Sequence, residues 1–272
     1  IGDQLEIFLK TEIQEKNNLE DQQKENLKKL ANSKFFQENW HIIYEDEDLL
    51  VVNKPSGIAV HPGTDHYQGR TMIDLAQAYR LGDDFLPMLI HRLDIGTSGV
   101  LVFAKNNLAL QNLNAQIKAR KTTKIYYALC DGHLEKKQGS IRLALERTEG
   151  RSKSTKVIVS RGGEKSQMAI THYRVIQEFK EASLVEVKIE TGRMHQIRVH
   201  FKSQGHPLWG DRHYGDFKLN HQIEKAPYNL KRIFLHAHFL ELNHPSTQQK
   251  IQFKAELGND LQSLLKQLNP LL

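Results

Sequence analysis

The sequence has few of the features that mark exported, membrane-bound or metal-centred proteins. Its 272 residues contain one cysteine, Cys130, so no disulfide can form within the chain, and a reducing, cytoplasmic location is expected. No apolar run approaches the roughly 20 residues that cross a bilayer, so we expect no membrane partner. Paired cysteines, the usual mark of a structural zinc site, are absent.

What is present points to a globular protein with a polyanionic partner. The composition, 39% hydrophobic and 26% charged, is that of an ordinary globular chain. The net charge of +6 favours a partner with many negative charges. Two of the 14 histidines, His236 and His238, would share one face of a strand, as a metal site requires. No third ligand follows at a suitable spacing, so we predict no metal site.

The pattern of elements predicts an α+β fold. Apolar or alternating runs predict strands over 48–54, 100–104, 124–130, 182–190, 232–242 and 250–255, with hairpins in 140–175. Helical periodicity marks 71–81, 108–119, 194–203 and 260–268. Strands outnumber helices and rarely alternate with them one for one. We therefore expect a mixed, mostly antiparallel sheet with flanking helices.

The most informative segment is the run His91-Arg92-Leu93-Asp94-Ile95-Gly96-Thr97-Ser98-Gly99. It places a carboxylate, Asp94, and then small and hydroxylated residues between two apolar runs, 86–90 and 100–104. An active site needs a polar group held on a turn by rigid flanks. An ordinary turn uses the same residues, so this segment by itself does not decide between the two interpretations.

Four further segments combine polar side chains with a rigid frame. They are Asn53-Lys54-Pro55-Ser56-Gly57, Lys124-Ile125-Tyr126, the run 191–200 and the loop 205–211. Lys124 and Tyr126 should share one face of a strand, and His195 and Arg198 should be neighbours on a helix. Each segment alone could be a capped helix or a surface loop. The five together favour an active site.

These motifs resemble those of the RluA-type pseudouridine synthases. The matching stretches, in order over about 42–270, are LLVVNKPSG (49–57), IHRLDIGTSGVLVFAKN (90–106), KIYYAL (124–129), TGRMHQIRVH (191–200), GHPLWGDRHYG (205–215) and RIFLHAHFLELNHP (232–245). Within the family the chain is most similar to RluC-like bacterial enzymes that modify large-subunit ribosomal RNA. The start, Ile1 to Ile7, resembles the last strand of their N-terminal RNA-binding domain. We therefore expect 1–40 to be the end of such a domain plus a linker, and 41–272 to be the catalytic domain.

The resemblance implies a reaction and three catalytic residues. Such enzymes break the glycosidic bond of a uridine, rotate the uracil and rejoin it through carbon, without a cofactor. Asp94 would be the essential carboxylate, acting either as a nucleophile at the anomeric carbon or as a base at the 2′ position. Arg198 would pair with Asp94 and keep it ionised and oriented. Tyr126 would stack on the uracil and take the proton from carbon 5.

The resemblance also implies substrate contacts. Leu235 would pack the other face of the base, and Arg92 would fill the gap left by the flipped uridine. The expected phosphate contacts are His91, Lys54, Lys124 and Arg193. The implied partner is RNA, ribosomal RNA first of all, and the expected state is a monomer.

Three alternatives stay open at this point. The protein could be an RNA-binding or ribosome-assembly factor that has lost catalysis, although the presence of both Asp94 and Tyr126 argues against it. It could be a synthase that acts on a transfer RNA stem-loop. A histidine-rich metallohydrolase would require a bound metal and activity that chelators abolish.

Overall fold

A computed structural model describes residues 21–62, 69–149, 155–160 and 162–271. The strand that the resemblance implies for Ile1 to Ile7, and with it the expected end of an RNA-binding domain, lies outside the described residues. The expected linker is described from residue 21, where residues 21–31 are helical (α1). Within the described ranges no helix is both long enough and apolar enough to span a membrane.

Seven helices and eleven strands make up the described part of the chain. After α1 the helices are α2 (Lys34–Asn39), α3 (Met72–Tyr79), α4 (Asn107–Lys118), α5 (Gln196–Ser203), α6 (Phe217–Ile223) and α7 (Asn259–Gln267). The strands are β1 (Ile42–Glu45), β2 (Leu49–Lys54), β3 (Met88–Leu89), β4 (Ser98–Ala104), β5 (Thr123–Asp131), β6 (Gln138–Glu149), β7 (Thr155–Val159), β8 (Gln167–Glu178), β9 (Ala182–Ile189), β10 (Leu235–Asn243) and β11 (Lys250–Lys254).

All eleven strands belong to one sheet, in the order β1-β2-β4-β10-β5-β9-β8-β6-β7, with β3 added to β4 and β11 to β10. Every pairing is antiparallel except that of β4 with β10, which is parallel. The predicted α+β fold with a mixed, mostly antiparallel sheet is confirmed.

The parallel pairing of β4 with β10 depends on Gly99. This residue has φ +116° and lies opposite Ala237, and a Cβ built on it would be 2.2 Å from the Ala237 carbonyl oxygen. A side chain at this position would push the two strands apart, so only glycine permits the approach. The pairing carries the loop before β4, which holds Asp94, to the start of β10.

The core lies on both faces of the sheet because strand side chains alternate. In β2, Leu50 and Val52 join one buried cluster and Leu49 and Val51 join another. Helix α3 packs against the first cluster through Met72, Leu75 and Ala76, and α4 against the second through Ala109 and Leu113. Cys130 is fully buried in the first cluster, where it packs as a small core residue.

Side-chain caps set the start of two helices on these faces. Helix α3 begins with a capping box, in which the Thr71 hydroxyl accepts from the Asp74 N–H and the Asp74 carboxylate accepts from the Thr71 N–H. Helix α4 begins after Asn106, whose side chain accepts from the Ala109 N–H at 2.8 Å. Both helices therefore start within a residue of the predicted positions.

Two predicted boundaries near the motifs are wrong. The helix expected from Met194 begins at Gln196, because His195 has φ 54°, outside the helical region. Ser98 and Gly99, expected in the turn after Asp94, already belong to β4.

Helix α6 was not predicted at all. It has only seven residues, of which Asn220 and Ile223 are buried, too few to show a periodic apolar pattern.

Candidate active site

Four expected site residues come together from four separate elements. Asp94 lies in the loop between β3 and β4, Tyr126 in β5, Arg198 in α5 and Leu235 at the first position of β10. Strand β5 pairs antiparallel with β10, which places Tyr126 opposite Ala237 and two positions along from Leu235. The parallel contact of β10 with β4 adds the Asp94 loop beside them.

Arg198 joins two carboxylates. Its Nη1 donates to Asp94 Oδ2 at 3.1 Å, while Nε and Nη2 donate to Asp211 Oδ2 and Oδ1, each at 2.8 Å. The bidentate pair fixes the plane of the guanidinium. One N–H edge of Arg198 is thereby aimed at Asp94, whose side chain stays 22% exposed toward the cavity.

Asp211 is fixed in place by hydrogen bonds in addition to those from Arg198. Its Oδ1 also accepts from the N–H groups of His213 and Tyr214, and its own carbonyl accepts from the Asn220 amide. Burial by itself would raise the pKa of Asp211, but the hydrogen bonds and charge of Arg198 hold it below the ordinary value. Asp211 is therefore an ionised, buried anchor for Arg198.

Tyr126 and Leu235 form the apolar part of the site. Both are almost fully buried, and both line a cavity of about 110 Å³ that Asp94, Thr97 and Arg198 also line. Burial, with the charge of Asp94 adding to it, raises the pKa of the Tyr126 phenol above its ordinary value. Tyr126 therefore keeps its proton at neutral pH in the free protein.

A larger cavity of about 570 Å³ meets the small one at Asp94. The two share Arg92, Leu93, Asp94, Met194, His195 and Arg198. Arg92 is exposed where the cavities join, and Arg193 is exposed at the rim of the smaller one. The site is thus an open groove with a narrow apolar pocket on one side of the carboxylate.

Lys54 is not placed where a phosphate could reach it. The residue has no exposed surface, and its Nζ donates to the carbonyl oxygens of Pro55, Ile95 and Thr97 at 2.8, 3.1 and 2.9 Å. Burial lowers the pKa of Lys54 to about 7, with the charge of Asp94 opposing the shift. All three N–H groups of the ammonium are used, so Lys54 braces the turn that carries Asp94 instead of contacting substrate.

His91 and Lys124 also do not line either cavity at Asp94. The His91 ring is inside the protein, where its Nε2 accepts from the Val102 N–H at 3.2 Å. Burial lowers the pKa of His91 to about 3, and the nearby charge of Lys124 adds to the shift. A neutral, inward-facing imidazole is unsuited to the expected phosphate contact. Burial lowers the pKa of Lys124 as well.

Three residues of the site were not predicted. Arg147 of β6 is exposed and lines the small cavity. Asp211 and Tyr214 complete the support of Arg198, whose guanidinium carbon lies 5.0 Å from the centre of the Tyr214 ring. Asp211 belongs to a motif that the sequence singled out, but its partner is 13 residues away on another element. Only the packing of α5 against this loop reveals the contact.

The chemistry available is that of an oriented carboxylate beside an apolar slot. Among the residues that the structure describes, no group of three or more His, Cys, Asp or Glu side chains is arranged to hold a metal ion. His236 and His238 are both hydrogen-bonded to the Ala255 carbonyl oxygen. The ionisable side chains that line the small cavity include Asp94, Tyr126 and several arginines.

Known proteins are similar in sequence to this chain over most of its length. The family model for RNA pseudouridylate synthase matches residues 48–203. Ribosomal large subunit pseudouridine synthase D of Zymomonas mobilis is 39% identical over 232 residues, which are 84% of this chain and 72% of the relative. Ribosomal large subunit pseudouridine synthase C of Vibrio cholerae is 38% identical over 227 residues, 84% of this chain and 69% of the relative.

A solved structure is similar as well. Human RNA pseudouridylate synthase domain containing 1 matches with a TM-score of 0.68 and 29% identity, over 86% of this chain and 89% of that one. The matched family region includes Asp94, Tyr126 and Arg198.

Proposed function

The chain belongs to the RNA pseudouridylate synthase family, and we propose that it converts specific uridines of 23S large-subunit ribosomal RNA to pseudouridine. The relatives named as ribosomal large subunit synthases support this substrate. The observation that carries the proposal is the position of Asp94, which is paired with Arg198 and borders the apolar slot of Tyr126 and Leu235. We expect the enzyme to work as a monomer in the cytoplasm.

We assign the essential carboxylate to Asp94. The Arg198 contact at 3.1 Å orients the Asp94 carboxylate and leaves part of it facing the cavity. An ionised carboxylate can attack the anomeric carbon of the ribose or remove the 2′ proton, and this geometry suits both routes. In either case the glycosidic bond breaks, and the uracil turns before carbon 5 bonds to the ribose.

The small cavity would hold the uracil. Tyr126 offers an aromatic face for stacking, and Leu235 an apolar surface for the other side of the base. Release of the carbon-5 proton restores the conjugated ring in the last step, and we assign this proton to the Tyr126 oxygen. Because the Tyr126 phenol is protonated, it can accept the carbon-5 proton only by passing its own proton to water in the cavity, and its raised pKa makes that transfer harder.

Arg92 is suited to the RNA side of the site. It is exposed where the two cavities join, next to the place from which a flipped uridine would enter. Its guanidinium can fill the gap in the base stack by stacking and cation contact. Arg193 and Arg147, both exposed at the rim of the small cavity, would bind phosphates.

The test of the substrate is a map of pseudouridines in total RNA from a strain without this protein. We expect sites in 23S ribosomal RNA to revert to uridine and to be restored by the wild-type gene. Loss confined to transfer RNA would instead support the stem-loop alternative. An unchanged map would contradict the enzyme assignment.

The test of the site is Asp94→Asn in the purified protein. The amide is nearly isosteric, so only the charge is lost, and RNA binding should stay near normal. Pseudouridine formation should fall by at least about 10³-fold, the scale of a lost catalytic group. Near-wild-type activity of this variant would overturn the assignment of Asp94.

A further inference from the structure

His195 lies between the catalytic carboxylate and a buried tyrosine. Its side chain is 13% exposed, borders both cavities, and has Nε2 at 3.8 Å from Asp94 Oδ2. Its backbone has φ 54° just before α5. Non-glycine residues at such angles carry strain, and strain of this kind concentrates at functional sites. The formation of α5 therefore does not by itself explain the conformation of His195.

Tyr214 fixes which ring nitrogen of His195 carries the hydrogen. The Tyr214 oxygen already accepts from the Val157 N–H at 3.0 Å. His195 Nδ1 lies 2.8 Å from the same oxygen, so the best use of the Tyr214 hydroxyl hydrogen is to donate to Nδ1. Nδ1 is then an acceptor, and the neutral ring carries its hydrogen on Nε2, the nitrogen nearer Asp94.

The ring stays neutral in this environment. Burial lowers the pKa of His195 to about 4, although the charge of Asp94 opposes the shift. Besides Tyr214, the charged or titratable groups around the ring are Arg198, Asp211 and His213, of which Arg198 and His213 lower the pKa further and Asp211 raises it. At neutral pH His195 is therefore a hydrogen-bond donor without charge, and its 3.8 Å contact with Asp94 is not an ion pair.

The distance between His195 Nε2 and Asp94 leaves the Nε2–H free of a hydrogen bond to that carboxylate. A value of 3.8 Å is too long for a direct hydrogen bond between Nε2 and the Asp94 carboxylate. His195 and Asp94 line both cavities, and under the proposed function the ribose of a bound uridine would lie beside Asp94.

We propose that His195 is a further catalytic residue, whose Nε2–H, oriented by Tyr214, donates a hydrogen bond to a ribose oxygen of the target uridine beside Asp94. The inference rests on the proposed function for the identity of the substrate. No proton is transferred. The donor holds the ribose against the carboxylate, so that the sugar is correctly placed when the glycosidic bond breaks.

The tautomer is tested on the unmodified enzyme without RNA. Nitrogen-15 NMR of the imidazole should show hydrogen on Nε2 and none on Nδ1 at neutral pH. In Tyr214→Phe, which removes the hydroxyl, the two His195 nitrogen resonances should move toward a mixture of tautomers. Hydrogen on Nδ1 in the wild type would overturn the proposal. This experiment does not depend on which RNA is modified, so it separates failure of the inference from failure of the proposed function.

The catalytic role is tested by single-turnover rates on a 23S fragment that the wild type modifies. His195→Gln keeps an N–H at a similar reach, whereas His195→Asn tolerates the positive φ but is too short. We expect the Asn variant to be slower by about 10- to 100-fold, the effect of one lost hydrogen bond, with RNA affinity changed less than threefold. The Gln variant should recover most of the rate.

The same single-turnover assay provides a control variant and the outcomes that would contradict the proposal. His221→Gln, at an exposed position near the end of α6, should keep the wild-type rate. An Asn variant within twofold of wild type would overturn the proposal. So would a folded Gln variant that binds RNA normally but is as slow as the Asn variant, because that would show that the donor is not what His195 supplies.

Discussion

Arg198 and Asp211 are joined by two parallel hydrogen bonds of 2.8 Å, and this pair aims the remaining guanidinium edge at Asp94. Asp211 is almost fully buried, so Arg198 cannot turn away without leaving a buried charge unpaired. Because such a charge is costly, the guanidinium is held still. The orientation of the Asp94 carboxylate is thus set by a second carboxylate, that of Asp211, whose side chain has no exposed surface.

We predict that Asp211→Asn lowers both activity and stability. The amide nitrogen would place N–H groups against those of Arg198, which breaks the bidentate pair. We expect a loss of about 3–5 kcal/mol in the free energy of unfolding and a fall in turnover of at least about tenfold. Denaturant unfolding and single-turnover assays measure the two effects, and an active variant of normal stability would contradict the anchoring role.

The pH dependence of stability follows from the same pair. The pKa of Asp211 in the folded state is below its ordinary value of 3.8. The pair therefore stabilises the fold fully above about pH 4, and this contribution is lost as the pH falls through the folded-state pKa. Asp211→Asn should show a smaller loss of melting temperature between pH 5 and pH 3 than the wild type. An identical acid response in both proteins would contradict this.

We predict that Tyr126→Phe separates base binding from proton release. The phenyl ring keeps the stacking surface, so RNA affinity should change by less than about threefold. The oxygen that we propose as acceptor of the carbon-5 proton is lost, so release of tritium from RNA labelled at carbon 5 of uridine should slow by about 10²-fold or more. Tritium release at the wild-type rate would show that Tyr126 only stacks.

We predict that Arg147 contributes to RNA binding through phosphate. Arg147→Ala should weaken binding and reduce the slope of log affinity against log salt by up to about one. Arg142 is a matched control, since it is exposed on the same strand five residues away and so on the opposite face. Arg142→Ala should leave affinity and slope nearly unchanged. Equal effects of the two variants would point to a general effect of charge.

We predict that Lys54→Met loosens the turn that holds Asp94. The variant leaves the carbonyls of Pro55, Ile95 and Thr97 without the ammonium donors, at a cost of about 1–3 kcal/mol in unfolding free energy. Turnover should fall more than RNA affinity, because the carboxylate moves while the RNA surface stays. Lys118→Met, at an exposed position in the last turn of α4, should change neither. Weakened RNA binding with normal turnover would instead support a phosphate contact.

Local patterns in the chain were enough to predict most of the fold. Alternating apolar residues in β5 and β9 predict strands because each strand buries one face or both, and this requirement is visible in a few neighbouring residues. The same applies to the helices α3 and α4. The family motifs were equally local, which is why Asp94, Tyr126 and Arg198 could be chosen from the sequence and then found together in the structure.

The tertiary structure decided what those residues touch. Lys54 and Arg193 are both cations in motifs, yet one is buried under three carbonyls and the other is exposed at the cavity rim. The difference arises from strand pairing: β2 pairs antiparallel with β4, so Lys54 lies opposite Gly99 and beneath the turn that leads into β4. The loop 205–215 likewise supplies Asp211, the second carboxylate bound by Arg198, and Tyr214, the partner of His195 Nδ1. Sequence determines which side chains a site can use, and long-range packing determines which partner satisfies each hydrogen bond, because that choice depends on groups far apart in the chain.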